Sequence, residues 1–221
     1  MLLVASHVNY EQAWQVLRQS LLDAGCPLTQ VVRVVAGADK EVCLVPDDAE
    51  VTIGVPYNFF EMTAVYGLHR FVDHPRLRAD RYLLLHDTSV VLPDFMPKCH
   101  AFFEAMAAGD FDVYHAIKDM RLNIAALSYA FVKTHGAYYG RNGDKIMAWA
   151  AEHGAEHSFR RMVPPERVGA GEDALTFGGG ERVYGSNIVR HAVRLERLGV
   201  VKFVCNDDAE VNPPWQQRDH P

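Results

Sequence analysis

At 221 residues, with 49% hydrophobic and 23% charged side chains, the chain suits one α/β domain with a substantial core. Its formal net charge of -6 argues against a general nucleic-acid binder, which needs a Lys/Arg surplus to neutralise phosphates, but not against a small anionic ligand. The four cysteines, Cys26, Cys43, Cys99 and Cys205, are far apart and form no C-x-x-C pair, so neither a disulfide scaffold nor a structural zinc site is expected.

The N-terminus lacks the basic start and long apolar stretch of a signal peptide, and no apolar run approaches membrane-spanning length; the expectation is a cytoplasmic protein, or a domain of a larger cytoplasmic chain. Leu2 to Ala5 reads as a buried strand that runs into the polar turn Ser6-His7-Val8-Asn9-Tyr10. A helix follows, with Asn9 as its expected N-cap, Trp14, Leu17 and Leu21 on one face, and Gly25 with Pro27 as its stop. Gln30 to Val35, Glu41 to Val45 and Val51 to Val55 are strand candidates. Asn58-Phe59-Phe60-Glu61 has capping-box spacing and opens a helix to Val72, with Phe60, Ala64, Leu68 and Phe71 on one stripe.

Arg81 to Asp94 reads as strand, polar corner, short strand and turn, and Phe95 to Ala108 as a helix closed by Gly109. Asp112 to Ile117 and Asn123 to Val132 are further strands, and His135 to His153 is largely helical. Pro164 to Gly185 is rich in Gly and Pro and reads as loop. Ser186 is the expected cap of a last helix carrying Ile188, Val189, Ala192, Val193 and Leu195; Gly199 stops it, and Val200 to Cys205 is the final strand. The alternation predicts a single Rossmann-related α/β domain over residues 1–205, a mixed, mostly parallel sheet flanked by helices, with an irregular tail over 206–221.

Ligands gather at the carboxyl ends of strands in open α/β sheets. There Tyr82-Leu83-Leu84-Leu85, too apolar for an exposed strand, runs into His86-Asp87-Thr88. A carboxylate ending a buried strand is costly unless it meets a cation or several donors. Mg²⁺ or Mn²⁺ bridging to a diphosphate satisfies it. A turn-capping Asp that closes a β-corner through its own backbone is the plain alternative.

The stretch Asp80 to Asp94 resembles the metal-binding segment of GT-A glycosyltransferases: a strand, an Asp-x-Asp-type motif, a short strand, and a turn with Pro before Asp. Leu3 to Tyr10 resembles that family's first strand and nucleotide-contacting turn, and the helix after Asn58 sits where the family has one. His86-Asp87-Thr88 offers one carboxylate where many members have two. The resemblance implies a nucleotide-sugar donor contacted by Ser6, His7, Asn9, Tyr10, Asn58, His86, Asp87 and Arg190, and Mn²⁺ or Mg²⁺ at Asp87, His86 and Ser89. It also implies a general base for a glycan or other hydroxyl acceptor at Asp173 or Glu172, which follow a Gly/Pro-rich loop. Asn9 remains equally readable as a helix cap, and Glu172 and Asp173 as acidic residues favouring a helix N-terminus. Two other functions compete: a nucleotidyltransferase making a nucleotide-sugar, disfavoured by Ser6-His7-Val8-Asn9 in place of a Gly-rich basic loop, and a degenerate GT-A domain that binds a glycan or a protein.

Overall fold

The computed structural model describes residues 1–59, 61–117, 124–140, 162–172, 175–178, 182–184 and 187–205. An 8-stranded sheet has the order β3-β4-β2-β1-β5-β8-β7-β9, formed by β1 (Leu2–His7), β2 (Val31–Ala36), β3 (Val42–Leu44), β4 (Val51–Val55), β5 (Arg81–His86), β7 (Val113–Ile117), β8 (Ala125–Ser128) and β9 (Val168–Glu172). Strands β4, β2, β1 and β5 are mutually parallel; β8 opposes β5 and β7, so β7 and β9 run with β5, and β3 opposes β4. A second sheet, order β10-β12-β13-β6, joins β6 (Ser89–Val91) to β10 (Leu175–Gly178), β12 (Asn187–Leu195) and β13 (Val200–Cys205), with β11 (Arg182–Tyr184) paired to β12.

The strands of the large sheet are apolar on both faces, as a sheet covered by helices on each side requires. On one face Leu2, Val4, Leu83 and Leu85 meet Trp14, Leu17 and Leu21 of α1 (Glu11–Asp23) and Phe95, Cys99, Phe102 and Met106 of α3 (Phe95–Ala108). On the other, Leu3, Val32, Val34 and Leu84 meet Val65 and Leu68 of α2 (Met62–Phe71) and Phe131 and Val132 of α4 (Tyr129–Tyr139). From β1 the chain moves outward through β2 to β4, then returns to the other side of β1 as β5. That reversal places α1 and α2 on opposite faces, as right-handed crossovers demand, and makes the carboxyl ends of β1 and β5 the topological switch point.

At the opposite edge, Asp112 ties the starts of β7 and β9 to the end of β8. Its carboxylate accepts from Arg167 Nε at 2.9 Å and from Ser128 Oγ at 2.7 Å. The Arg167 hydrogen bond holds the Asp112 carboxyl below the usual carboxylate range, against the opposing effect of burial.

Several expectations need correction. Residues 187–195 form strand β12, not a helix: the alternation of Val193 and Leu195 against Arg190 and Arg194 is a period of two, and β13 supplies an antiparallel partner along most of its length. The capping box fails, because Phe59 N–H donates to Thr63 Oγ1 at 2.5 Å and α2 begins only at Met62, with no side-chain cap. Asn9 caps nothing: Val8–Tyr10 is a short 3₁₀ turn capped by His7, and α1 starts at Glu11. Within Asn123 to Val132 only Ala125–Ser128 is strand, since Ser128 accepts from Phe131 N–H and starts α4 at Tyr129. The expected loop from Pro164 contains β9, β10 and β11. Residues 141–153 of the expected helix, and the tail 206–221, lie outside the described residues.

Candidate functional site

Because β1, β2, β4, β5, β7 and β9 share one direction, their carboxyl ends form one edge. Along it lie His7, the segment after Val55 that carries Asn58, His86 with Asp87, and Glu172. Strand spacing puts β9 about 14 Å from β5 along that edge. Glu172 therefore closes a strand, opposite Ile117, where a helix start was expected. Asp173 lies outside the described residues, and Arg190 is placed by its backbone in β12.

The core of the site is built between β1 and β5. Asp87 N–H donates to Ala5 O at 3.0 Å, continuing the β1–β5 ladder one residue beyond β5. Asp87 is buried, with 6% of its surface exposed. Ser6 and the His7 backbone lie beside its carboxylate. Its Oδ2 is fully buried and has no hydrogen-bond partner among the described residues. Burial pushes the Asp87 carboxyl up to about 6, while the Ser6 hydroxyl, the Lys202 ammonium, the Arg33 guanidinium and the His7 N–H pull the other way. The groups that act on this carboxylate come from β1, β2 and β13.

Behind Ser6, Arg33 of β2 donates from Nε and Nη2 to Ser6 Oγ at 3.2 and 3.1 Å, and from Nη2 to Glu11 Oε2 at 2.6 Å. The guanidinium lies 5.0 Å over the Trp14 ring. Burial raises the Glu11 carboxyl, but hydrogen bonds from Arg33 and Gln15 outweigh it and hold the group below its ordinary range. From the second sheet, β13 brings Lys202, also buried, into register with Ser89. Ser89 is fully buried and its Oγ has no hydrogen-bond partner among the described residues.

The turn after β1 is fixed by His7. Its Nδ1 accepts from Asn9 N–H at 3.1 Å, so in the neutral ring Nε2 carries the proton. The ring lies edge-on to Tyr10, with centroids 6.2 Å apart. It also packs against Gly37, where a Cβ would fall 2.8 Å from His7 Nε2 and φ is +77°. Asn9 is exposed and Tyr10 partly so, at the mouth of the switch point.

His86 and Asp87 turn to opposite faces. His86 Nε2 lies 3.9 Å from Glu61 Oε2, on the α2 side, and Glu61 is buried with 6% exposed. The expected ligand group is thus divided: Asp87 stays with Ser6 and Lys202, while His86 goes with Glu61. Among the described residues no three His, Cys, Asp or Glu side chains come together as a metal set. Of the expected ligands, Asp87 could give a divalent ion a single carboxylate, with ligand oxygens and water completing the shell.

Sequence reasoning missed Arg33, Glu11 and Glu61. An Arg inside Val31-Val32-Arg33-Val34-Val35 was the available signal, because a charge in so apolar a strand must find a buried partner. Farther along the same face, a cavity of about 310 Å³ lies between α3, β7 and β9, lined by Phe102, Tyr114, Ala116 and Gly171, with Arg197 at its rim. Comparison with protein-family models and with curated proteins returns no match.

Proposed function

We propose that the chain is a nucleotide-sugar-dependent glycosyltransferase of the GT-A type, with the donor diphosphate at the β1/β5 switch point and Asp87 facing it. The observation that carries the reading is a buried carboxylate with one oxygen unpartnered among the described residues, at the strand ends where open α/β sheets bind ligands. An Asp kept there against its desolvation cost is expected to serve a ligand.

Mn²⁺ or Mg²⁺ held by Asp87 would supply positive charge to the departing diphosphate. The chain's own contribution at that end is Arg33 and Lys202, whose positive charges act on Asp87. Ser6 and His7 flank the carboxylate, while Asn9, Tyr10 and Asn58 border the nucleotide side in this reading. Ser89, His86 and Arg190 belong to the surrounding shell. On the acceptor side the base is Asp173 or Glu172; Glu172 lies at the same sheet edge as Asp87, about 14 Å away by strand spacing. That separation leaves room for a sugar ring between diphosphate and acceptor oxygen. A cytoplasmic location goes with this reading. Among the described residues no helix is long and apolar enough to cross a membrane.

The test is calorimetric titration with UDP and GDP, with and without Mn²⁺. Mn²⁺-dependent binding is expected in the wild type, weakened at least about tenfold in Asp87→Ala. Undiminished binding in that variant defeats the assignment of Asp87. Incubation with a nucleoside triphosphate and a sugar phosphate separates the nucleotidyltransferase alternative, which alone releases pyrophosphate. A glycan-binding module would retain glycan binding and hydrolyse no nucleotide-sugar.

A further inference from the structure

We infer that the cavity between α3, β7 and β9 is a binding site for a small aromatic carboxylate; the inference stands apart from the glycosyltransferase reading. The cavity holds about 310 Å³. That is roughly twice the ~150 Å³ that accepts a benzene ring, so it takes one ring with a short chain. Protein interiors are close-packed, and an opening of this size persists where side chains stop short. Ala101 and Ala105 stand one turn apart on α3 and face Ala116 of β7 and Gly171 of β9 across the opening. Elsewhere α3 covers the sheet with Phe95, Cys99 and Met106. Ala116 and Leu198 are buried and make the floor; Ala101 and Ala105 are exposed and make the mouth.

The wall is aromatic, and glycine sets its place. The Tyr114 ring packs against Phe102 at 4.8 Å and stacks on Phe111 at 5.6 Å, with 10° between the two planes. A Cβ at Gly169 would fall 2.5 Å from Tyr114 Cδ2 and 2.6 Å from the Phe111 ring, so the bare backbone of β9 is what lets these rings lie against it. A Cβ at Gly171 would approach Phe102 Cε2 to 3.3 Å, so this glycine keeps the space beside Phe102 open. Such a wall favours a ligand ring in offset or edge-to-face contact. Arg197, in the turn between β12 and β13, is the charged residue among the lining side chains and lies exposed at the rim. A guanidinium selects a carboxylate, which it grips with two parallel N–H groups. An apolar body with one orienting polar group is the usual form of a small-molecule pocket.

The probes are 3-phenylpropionate and its uncharged amide, 3-phenylpropionamide, titrated into the whole chain and followed by the methyl resonances of Ala105 and Ala116. The acid is expected to shift both methyls saturably with a Kd of about 1 mM or tighter, as suits a ligand of this size. The amide is expected to bind at least about fivefold more weakly, because it gives the guanidinium no charge to meet. Arg197→Gln is expected to bring the acid down to the affinity of the amide. Ala105→Phe and Ala101→Leu change exposed residues of α3 and put bulk into the mouth; each is expected to weaken the acid at least about tenfold by steric exclusion. No saturable shift up to about 10 mM acid overturns the inference. So does undiminished binding in both Ala105→Phe and Ala101→Leu, equal affinity of the wild type for acid and amide, or unchanged acid affinity in Arg197→Gln.

Discussion

Asp87→Asn separates what this residue does for the fold from what it does for a ligand. A rise from 3.8 to about 6 corresponds to about 3 kcal/mol of differential interaction between protonated and ionised forms. The sign follows from the native value lying above the unfolded one. The protonated carboxyl is favoured in the native state, so the Asp87 contribution is best below the unfolded value and is lost as pH rises through about 6. Above that, the native protein bears the full cost of a buried, under-compensated carboxylate. Asparagine keeps the shape of the side chain but carries no charge. The variant is therefore expected to be more stable than wild type by up to about 3 kcal/mol at pH 8, with the gap shrinking to a fraction of that by pH 4. Urea unfolding at the two pH values measures it. In the same protein, Mn²⁺-dependent UDP binding is expected to be lost. A variant less stable than wild type at pH 8 would refute the reasoning, because Asp87 would then be a carboxylate the fold itself requires.

Asp112→Asn is expected to behave in the opposite sense. Arg167 holds the Asp112 carboxyl low, so its contribution is present above the usual carboxylate range and fades as pH falls through the lowered value; the variant should lose stability at pH 7, and the loss should narrow in acid. Gly37→Ala meets a backbone at φ +77° and places a Cβ 2.8 Å from His7 Nε2. Left-handed backbone alone costs about 1–2 kcal/mol, so a thermal melt should drop by at least about 2–8 °C, and an unchanged melt would contradict the described turn. Burial pushes the Cys26 thiol up to about 11 and Cys99 up to about 12, so both should resist a thiol reagent at pH 8 until urea unfolds the chain; rapid native labelling would contradict their core position.

What the sequence made legible follows from how local each signal is. The helix Phe95–Ala108 and the strand Val200–Cys205 have the expected bounds, because Gly109 and Gly199 punctuate runs of clear period. Residues 187–195 satisfy an apolar helical stripe and a strand alternation at once, and their strand partners, β13 along most of the length and β10 and β11 beside it, decide between them. The strand ends of β1 and β5 were readable as a site because apolar runs stop at polar residues. What Asp87 meets there was not. Ser6, Arg33 and Lys202 come from three separate strands, and sequence spacing carries no information on that meeting. His86 was grouped with Asp87 because the two are adjacent in the chain. Strand geometry turns neighbours to opposite faces, and His86 instead meets Glu61, which had been read as part of a helix cap.

The most direct test of the account is a crystal structure of the protein soaked with Mn²⁺ and a UDP-sugar. The account predicts the diphosphate at the carboxyl ends of β1 and β5, with the ion on the Asp87 carboxylate and the sugar directed toward the end of β9. A nucleotide bound elsewhere, or a β1/β5 crevice left without ligand beside an unchanged Asp87, would contradict it.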